Sequence, residues 1–96
     1  MSEQDSSSDD TSEELKRKVF EKGEPIPEYD ASIWRRDSCG HAIKYSKFGN
    51  ANSIFGWEID HIVPLVHDGT SDLENLQPLY WRNNRMKADQ FPWKRP

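Results

Sequence analysis

Apolar positions are distributed unevenly along the chain, and their pattern changes near residue 14. Met1 is the only apolar residue among the first 14, whereas the other 31 apolar residues lie in the remaining 82 positions. A segment with nothing to bury cannot offset the entropy cost of ordering its backbone. The pattern therefore predicts a disordered acidic tail over 1–12 and one small folded domain over 13–96.

The folded part begins with a helical pattern. Thr11 and Glu14 have the spacing of a capping box, in which the threonine is the N-cap and the glutamate reaches back to it. Leu15 and Val19 follow at i and i+4, so both face the same side of a helix. These positions predict a helix over residues 13–22.

The rest of the chain reads as short strands separated by turn-forming residues, followed by one more helix. A strand can be entered by glycine, but proline cannot donate to a ladder and ends it. The signals predict short strands near 33–34 and 39–43, a strand over 56–62, a loop over 67–72, a strand over 75–79 and a helix over 81–88. The fold class is therefore α+β, with a strand, long loop, strand and helix after an N-terminal helix and short additional strands.

Composition excludes several classes of protein. Cys39 is the only cysteine, so neither an intramolecular disulfide nor a four-cysteine zinc site is possible. A reducing, cytoplasmic location is the default for such a chain. No apolar run has the length of a membrane span, and the polar, acidic N-terminus does not resemble a secretory signal.

The formal charge of −4 is dominated by the N-terminal segment. Residues 1–14 contain six acids and no Lys or Arg, so the remaining residues carry 13 basic and 11 acidic side chains. From 75 to 96 there are five basic residues and one acid. Because binding depends on where charge lies, nucleic-acid binding remains open despite the acidic total.

One cluster of residues in the C-terminal half has the chemistry for phosphodiester hydrolysis. Asp60 offers a carboxylate for a hard cation, and His61 can take a proton from water near neutral pH. Asn84 and Lys87 lie on one face of the predicted helix and offer an amide oxygen and a cation. Adjacent strand residues point to opposite faces, so Asp60 and His61 share a site only if the strand end is twisted or bulged, or if metal and water lie around its edge.

Each of these residues alone has an ordinary structural explanation. An Asp–His pair is common, a lone asparagine in a turn usually satisfies its own backbone, and basic helix residues usually form a solvated face. The joint pattern at one spacing is what favours a functional site.

That joint pattern resembles the HNH endonuclease family. The core motif covers 56–89, and the weaker resemblance extends over 15–93. The matching segments are 58–65 (EIDHIVPL), 72–79 (DLENLQPL) and 83–89 (NNRMKAD). The resemblance implies a ββα-metal (His-Me finger) domain and a metal-dependent DNA endonuclease.

The resemblance also assigns residues. It implies that Asp60 and Asn84 are metal ligands, that His61 is the general base and that Asn75 positions this base. One Mg²⁺ or Mn²⁺ ion is the expected cofactor and DNA the expected partner. The nearby cations are the expected phosphate contacts: Arg82, Arg85 and Lys87.

The chain departs from the family where relatives often hold structural zinc with two Cys-x-x-Cys pairs. Tyr80 and Asn83 stand where the second pair would begin and end, and the first pair is missing. We therefore expect no structural zinc, and we expect Trp57, Trp81 and neighbouring aromatic residues to supply the packing.

Two other functions remain open from the sequence. The same scaffold can grip DNA without cleaving it, because a fold does not guarantee an activity. A toxin-like nuclease restrained by its acidic tail or by a protein partner is the other interpretation.

A homodimer or a targeting protein partner is also possible. No separate base-reading module fits in the chain, so we expect weak sequence specificity.

Overall fold

The computed structural model describes residues 12–94, so the predicted acidic tail lies almost entirely outside the described residues. Two helices and short antiparallel strands make up the domain, which confirms the predicted α+β class. In chain order the elements are α1 (Glu13–Phe20), β1 (Glu24–Pro25), β2 (Trp34–Arg36), β3 (Ala42–Lys44), β4 (Trp57–His61), β5 (Leu76–Tyr80) and α2 (Trp81–Lys87).

The strand, loop, strand and helix predicted in the C-terminal half are β4, its connection, β5 and α2. β4 and β5 pair antiparallel, with Asp60 opposite Gln77 and His61 opposite Leu76. α2 begins at Trp81, directly after β5, and packs against both strands. This ββα unit places the ends of β4 and α2 beside each other.

The other three strands form a separate small sheet. β2 is central and pairs antiparallel with β1 on one side and with β3 on the other. The turn between β2 and β3 contains Gly40 with φ of +86°, a left-handed conformation that glycine adopts without a Cβ penalty. The strand predicted near 39–43 therefore begins only at Ala42, after this turn.

The start of α1 differs from the prediction. Ser12 is the N-cap, and its Oγ accepts a hydrogen bond from the backbone N–H of Leu15 at 3.0 Å. The predicted N-cap at Thr11 is wrong by one residue. The helix begins at Glu13, so the N-cap is Ser12, three residues before the Leu15 N–H that it satisfies. Glu14 forms an ion pair with Lys18.

Bulky side chains from α1, β3 and the ββα unit meet in one core. Phe20 of α1 packs against Trp57 of β4 with ring centroids 5.2 Å apart. Trp57 also donates its indole N–H to the carbonyl of Lys44 at 3.0 Å, which satisfies the polar atom of a fully buried ring. The buried apolar residues are Val19, Phe20, Ile43, Trp57, Leu76, Leu79 and Tyr80.

A side-chain contact ties the first turn of α1 to this core. The Tyr45 hydroxyl donates a hydrogen bond to the carboxylate of Glu13. Burial, together with that carboxylate, raises the pKa of Tyr45 to about 12. Hydrogen bonds from Tyr45 and then Lys16 lower the pKa of Glu13.

Neither described helix could cross a bilayer, since both are short and rich in charged residues.

Candidate active site

Three of the predicted site residues meet in one pocket at the end of β4. Asp60, His61 and Asn84 all line this pocket, which has a volume of about 300 Å³. His61 is the last residue of β4, and the pocket is lined both by the end of this strand and by residues that follow it. The neighbours Asp60 and His61 therefore share a site although they are adjacent along the strand.

Asp60 is almost completely buried and both of its carboxylate oxygens have partners. Its residue surface is 5% exposed. Oδ2 accepts a hydrogen bond from Nε2 of Gln77, the residue opposite it on β5, at 2.9 Å. Oδ1 lies 3.3 Å from Nζ of Lys87. A buried carboxylate with these two partners is held in one orientation.

Lys87 is buried and does not lie at the surface, where a contact with DNA phosphate would place it. It is 2% exposed, and its ammonium donates to the backbone carbonyl of His61 at 2.9 Å besides facing Asp60. Its position at the end of α2 aims it inward, between the helix and the end of β4. To reach a phosphate at the surface, the ammonium would have to move away from Asp60. The buried carboxylate would then be left without its positive partner.

His61 contacts Ser71 from the loop between the two strands. The His61 ring nitrogen Nε2 lies 3.1 Å from Oγ of Ser71. Nδ1 can accept a proton only when the ring hydrogen is on Nε2. In that tautomer the Nε2–H group can donate a hydrogen bond to the serine oxygen. The contact with Ser71 is therefore compatible with the tautomer that a general base at Nδ1 requires.

Asn75 braces the backbone that follows His61 and does not bond to the imidazole. Its Oδ1 accepts from the N–H of Val63 at 2.9 Å, and its Nδ2 donates to the Val63 and Thr70 carbonyls at 3.0 and 2.6 Å. Both amide hydrogens are used in these bonds, and no atom of the Asn75 amide is bonded to the His61 ring in the described structure. Asn75 instead joins Val63 to Thr70 within the connection between β4 and β5.

Asn84 is oriented by Glu58, which lies two residues before Asp60 on β4. Nδ2 of Asn84 donates to Oε1 of Glu58 at 2.7 Å. Oε2 of the same glutamate accepts from Arg85 at 2.8 Å. Because Glu58 holds the NH₂ group, Oδ1 is the atom of Asn84 that remains for a cation.

The other two predicted DNA contacts lie on the exposed side of α2. Arg82 and Arg85 are both exposed, and their guanidinium groups lie 5.7 and 5.6 Å from the centre of the Trp81 ring. Arg85 also forms an ion pair with Glu58. Arg82 lies on the same helix, about one turn before Arg85. These two cations are accessible to a nucleic-acid backbone.

The pocket offers oxygen ligands for a hard cation. Within residues 12–94, no group of three or more His, Cys, Asp or Glu side chains is arranged to hold a metal. Asp60 and Asn84 nevertheless present a carboxylate and an amide to the same pocket. Mg²⁺ is usually held by one or two carboxylates, with water and substrate phosphate filling the other positions. The donor set therefore fits Mg²⁺ or Mn²⁺, with Lys87 beside one oxygen of the carboxylate.

A second buried carboxylate connects the turn between β2 and β3 to the start of α2. Oδ1 of Asp37 accepts from the N–H groups of Cys39 and His41 at 2.9 and 2.8 Å. Its Oδ2 accepts from the N–H of Tyr80 at 2.9 Å and from Nδ2 of Asn83 at 3.0 Å. Tyr80 and Asn83 are the positions at which the resemblance placed the second zinc-binding pair. A hydrogen-bonded carboxylate thus joins these two positions to the turn between β2 and β3.

Aromatic packing supports the same junction. The His41 ring stacks on Tyr80 with centroids 3.6 Å apart and planes 7° from parallel. Trp57 is fully buried, and Trp81 is partly buried against the core and donates to the Ser53 carbonyl at 2.8 Å.

Three residues that contribute to the site were not identified from the sequence: Asp37, Ser71 and Gln77. Gln77 had a usable signal, because the strands pair across the motif and place it opposite Asp60. Ser71 belongs to an irregular loop, where sequence spacing does not determine which side chains meet. Asp37 bonds to residues more than 40 positions away, and no local pattern indicates that contact.

Comparison with known proteins agrees with this architecture. No curated protein and no solved structure matches the chain. The model of the HNH endonuclease family matches residues 37–90, which include Asp37, the whole ββα unit and every residue lining the pocket. This match covers more than half of the chain and begins at the buried carboxylate that connects the two parts of the domain. The chain belongs to the HNH endonuclease family.

Proposed function

We propose that the protein is a DNA endonuclease that hydrolyses phosphodiester bonds with one divalent cation and a histidine base. The observation that carries this proposal is the convergence of a buried carboxylate, a histidine and an oriented amide in one pocket. Family membership supports nuclease activity in general. The substrate, the metal and the residue roles are part of the proposal.

The proposed base is Nδ1 of His61. It takes a proton from a water molecule that attacks the phosphorus in line with the leaving oxygen. In the tautomer with its hydrogen on Nε2, the ring would donate that hydrogen to Oγ of Ser71, which lies 3.1 Å away. Asn75 positions His61 indirectly, since it fixes the loop that carries Ser71 and the backbone that follows His61.

Asp60 and Asn84 are the proposed ligands of the cation. A bound Mg²⁺ or Mn²⁺ would supply Lewis-acid stabilisation of charge on the phosphate and on the departing 3′ oxygen. Gln77 orients the Asp60 carboxylate and Glu58 orients the Asn84 amide through hydrogen bonds within the protein. Such prior orientation lowers the cost of assembling the site.

The basic residues of α2 have two different proposed roles. Arg82 and Arg85, which are exposed, contact phosphates on either side of the cleaved bond. Lys87 balances the negative charge of Asp60 inside the protein and holds the carbonyl of His61. A single pocket cleaves one strand, so we propose nicking by the monomer and double-strand cleavage only by a dimer or by two encounters.

The ends of the product test the reaction directly. Attack by water with departure of the 3′ oxygen leaves a 5′-phosphate and a 3′-hydroxyl, so the nicks in an end-labelled duplex are expected to be sealed by DNA ligase. Ends that carry a 3′-phosphate would contradict the proposed direction of attack. A folded protein that binds the duplex but leaves it intact with every divalent metal would favour a binding module.

Glu58 is expected to control metal affinity through Asn84. Replacing Glu58 with alanine releases the Asn84 amide, and loss of such an outer contact typically weakens metal binding or activity by about 10–100-fold. We therefore expect the Mn²⁺ dissociation constant, measured from the paramagnetic resonance of free Mn²⁺, to rise by at least about tenfold.

Two further variants separate orientation from charge at this position. Glu58→Gln keeps an oxygen that can accept from Asn84 and is expected to retain most of the affinity. Arg85→Ala removes the other partner of Glu58 and leaves the bond to Asn84 in place. If Glu58→Gln weakens Mn²⁺ binding as much as Glu58→Ala, charge rather than orientation accounts for the effect.

A further inference from the structure

Two large apolar side chains are exposed at the mouth of the catalytic pocket. Leu65 is 59% exposed and Val66 is 71% exposed, and both line the pocket that contains Asp60 and His61. Single exposed apolar residues are ordinary at a protein surface. An adjacent pair at the edge of a polar reaction site is different, because whatever occupies the site must also contact the pair.

The turn that carries this pair is tightly supported. Leu65–His67 forms one 3₁₀ turn, closed by a hydrogen bond from the N–H of Asp68 to the Leu65 carbonyl at 3.0 Å. The carbonyl of Pro64 accepts from the N–H groups of His67 and Gly69 at 2.9 and 3.0 Å. The backbone thus holds both side chains in a fixed position beside the pocket.

The base of the turn is closed by two further features. Asn75 clamps the N–H and the carbonyl of Val63. Gly69 packs so closely that an added Cβ would overlap the Val63 carbonyl oxygen. A loop with these contacts presents Leu65 and Val66 on a rigid support, which is a requirement for a side chain that must push against a ligand.

We propose that Leu65 and Val66 form an apolar wedge that presses on the base step next to the cleaved phosphate, so the preferred substrate is duplex DNA with a weakly stacked step at that position. The inference rests on the proposed function, because it assumes that DNA occupies the pocket. Beyond the phosphate, the nearest parts of the substrate are deoxyribose carbons and base edges, which suit apolar contacts. A protein partner seated on the pair would also cover the pocket that the pair lines.

Insertion of apolar side chains at a base step partly unstacks it, and the cost depends on how strongly that step is stacked. Mismatches and flexible pyrimidine–purine steps are easier to deform than fully paired, stiff sequence. The wedge therefore selects substrates by deformability without reading base identity.

Cleavage of a 30-base-pair duplex with one central mismatch, beside the fully paired duplex, tests the wedge. We expect the single-turnover rate next to the mismatch to exceed the rate in paired DNA by about tenfold. The double variant Leu65→Ser/Val66→Ser is expected to lose this preference. The control Ile54→Ser changes an equally exposed apolar residue, 64% exposed and outside the pocket lining, and is expected to keep it. Equal wild-type rates on both duplexes, or a preference that survives in the double variant, would overturn the inference.

A second readout does not require cleavage. The duplex carries 2-aminopurine beside the mismatch, and the protein is His61→Ala at a concentration that saturates the DNA. We expect the fluorescence to rise as the base unstacks, and the rise to be absent when Leu65→Ser and Val66→Ser are added. No rise with the intact pair would refute the wedge. If the wild-type protein cleaves nothing but the fluorescence rises, the nuclease proposal fails while the wedge stands.

Discussion

Replacing His61 with alanine is expected to lower the single-turnover cleavage rate by about 10²–10⁴-fold, the range that a positioned general base contributes. The pocket otherwise remains intact, because Asp60 keeps its bonds to Gln77 and Lys87, and Lys87 bonds to the backbone carbonyl of His61. Thermal unfolding is therefore expected to change little. The measurement is single-turnover cleavage of a labelled duplex at saturating protein and metal.

A matched control comes from the same loop. His67 is exposed and does not line the pocket, so His67→Ala is expected to cleave at close to the wild-type rate. If His61→Ala and His67→Ala cleave equally well, His61 is not the base. If His61→Ala fails to fold, the loss of activity carries no information, and His61→Asn, which retains a polar side chain, becomes the variant to measure.

Replacing Asp37 with alanine is expected to reduce the free energy of unfolding by about 3 kcal/mol or more. The side chain is 4% exposed and accepts four hydrogen bonds, from three backbone N–H groups and one amide. Each buried donor left without a partner costs about 1–3 kcal/mol. A small domain has only about 5–15 kcal/mol in total, so this change is a large fraction of its stability.

Urea or thermal unfolding followed by circular dichroism measures this effect. Asp37→Asn places an NH₂ group against backbone donors on one side and is also expected to destabilise, though less than alanine. Asp72→Ala is the control, because Asp72 is exposed and its side chain does not cap the 3₁₀ turn that it precedes. An Asp37→Ala protein as stable as Asp72→Ala would show that the carboxylate does not connect the two parts of the domain.

The order of elements in the C-terminal half could be predicted because the proline positions and the helical spacing mark the same elements that the structure contains. Pro64 follows β4, and the residues with helical spacing after Pro78 form α2. The same agreement identified Asp60, His61 and Asn84, which the structure brings to one pocket. Residues at fixed spacing on regular elements are placed by the period of those elements.

The environment of each residue could not be predicted in the same way. Spacing places Lys87 on the face of α2 shared with Asn84, but it does not show that the ammonium is buried against Asp60. Whether a cation points to solvent or inward depends on how the helix packs on the strands. Asp37 and Ser71 lie in the irregular connections between strands, where contacts depend on the whole chain and leave no periodic signal.

Cleavage of supercoiled plasmid by purified protein, in EDTA and then in Mg²⁺, Mn²⁺ or Zn²⁺, tests the central claim most directly when His61→Ala is measured beside the wild type. The proposed site predicts nicked circles with Mg²⁺ or Mn²⁺, none in EDTA, and nicking by His61→Ala that is slower by about 10²–10⁴-fold. Nicking that persists in EDTA, or that His61→Ala retains in full, would contradict a metal-dependent nuclease with His61 as its base.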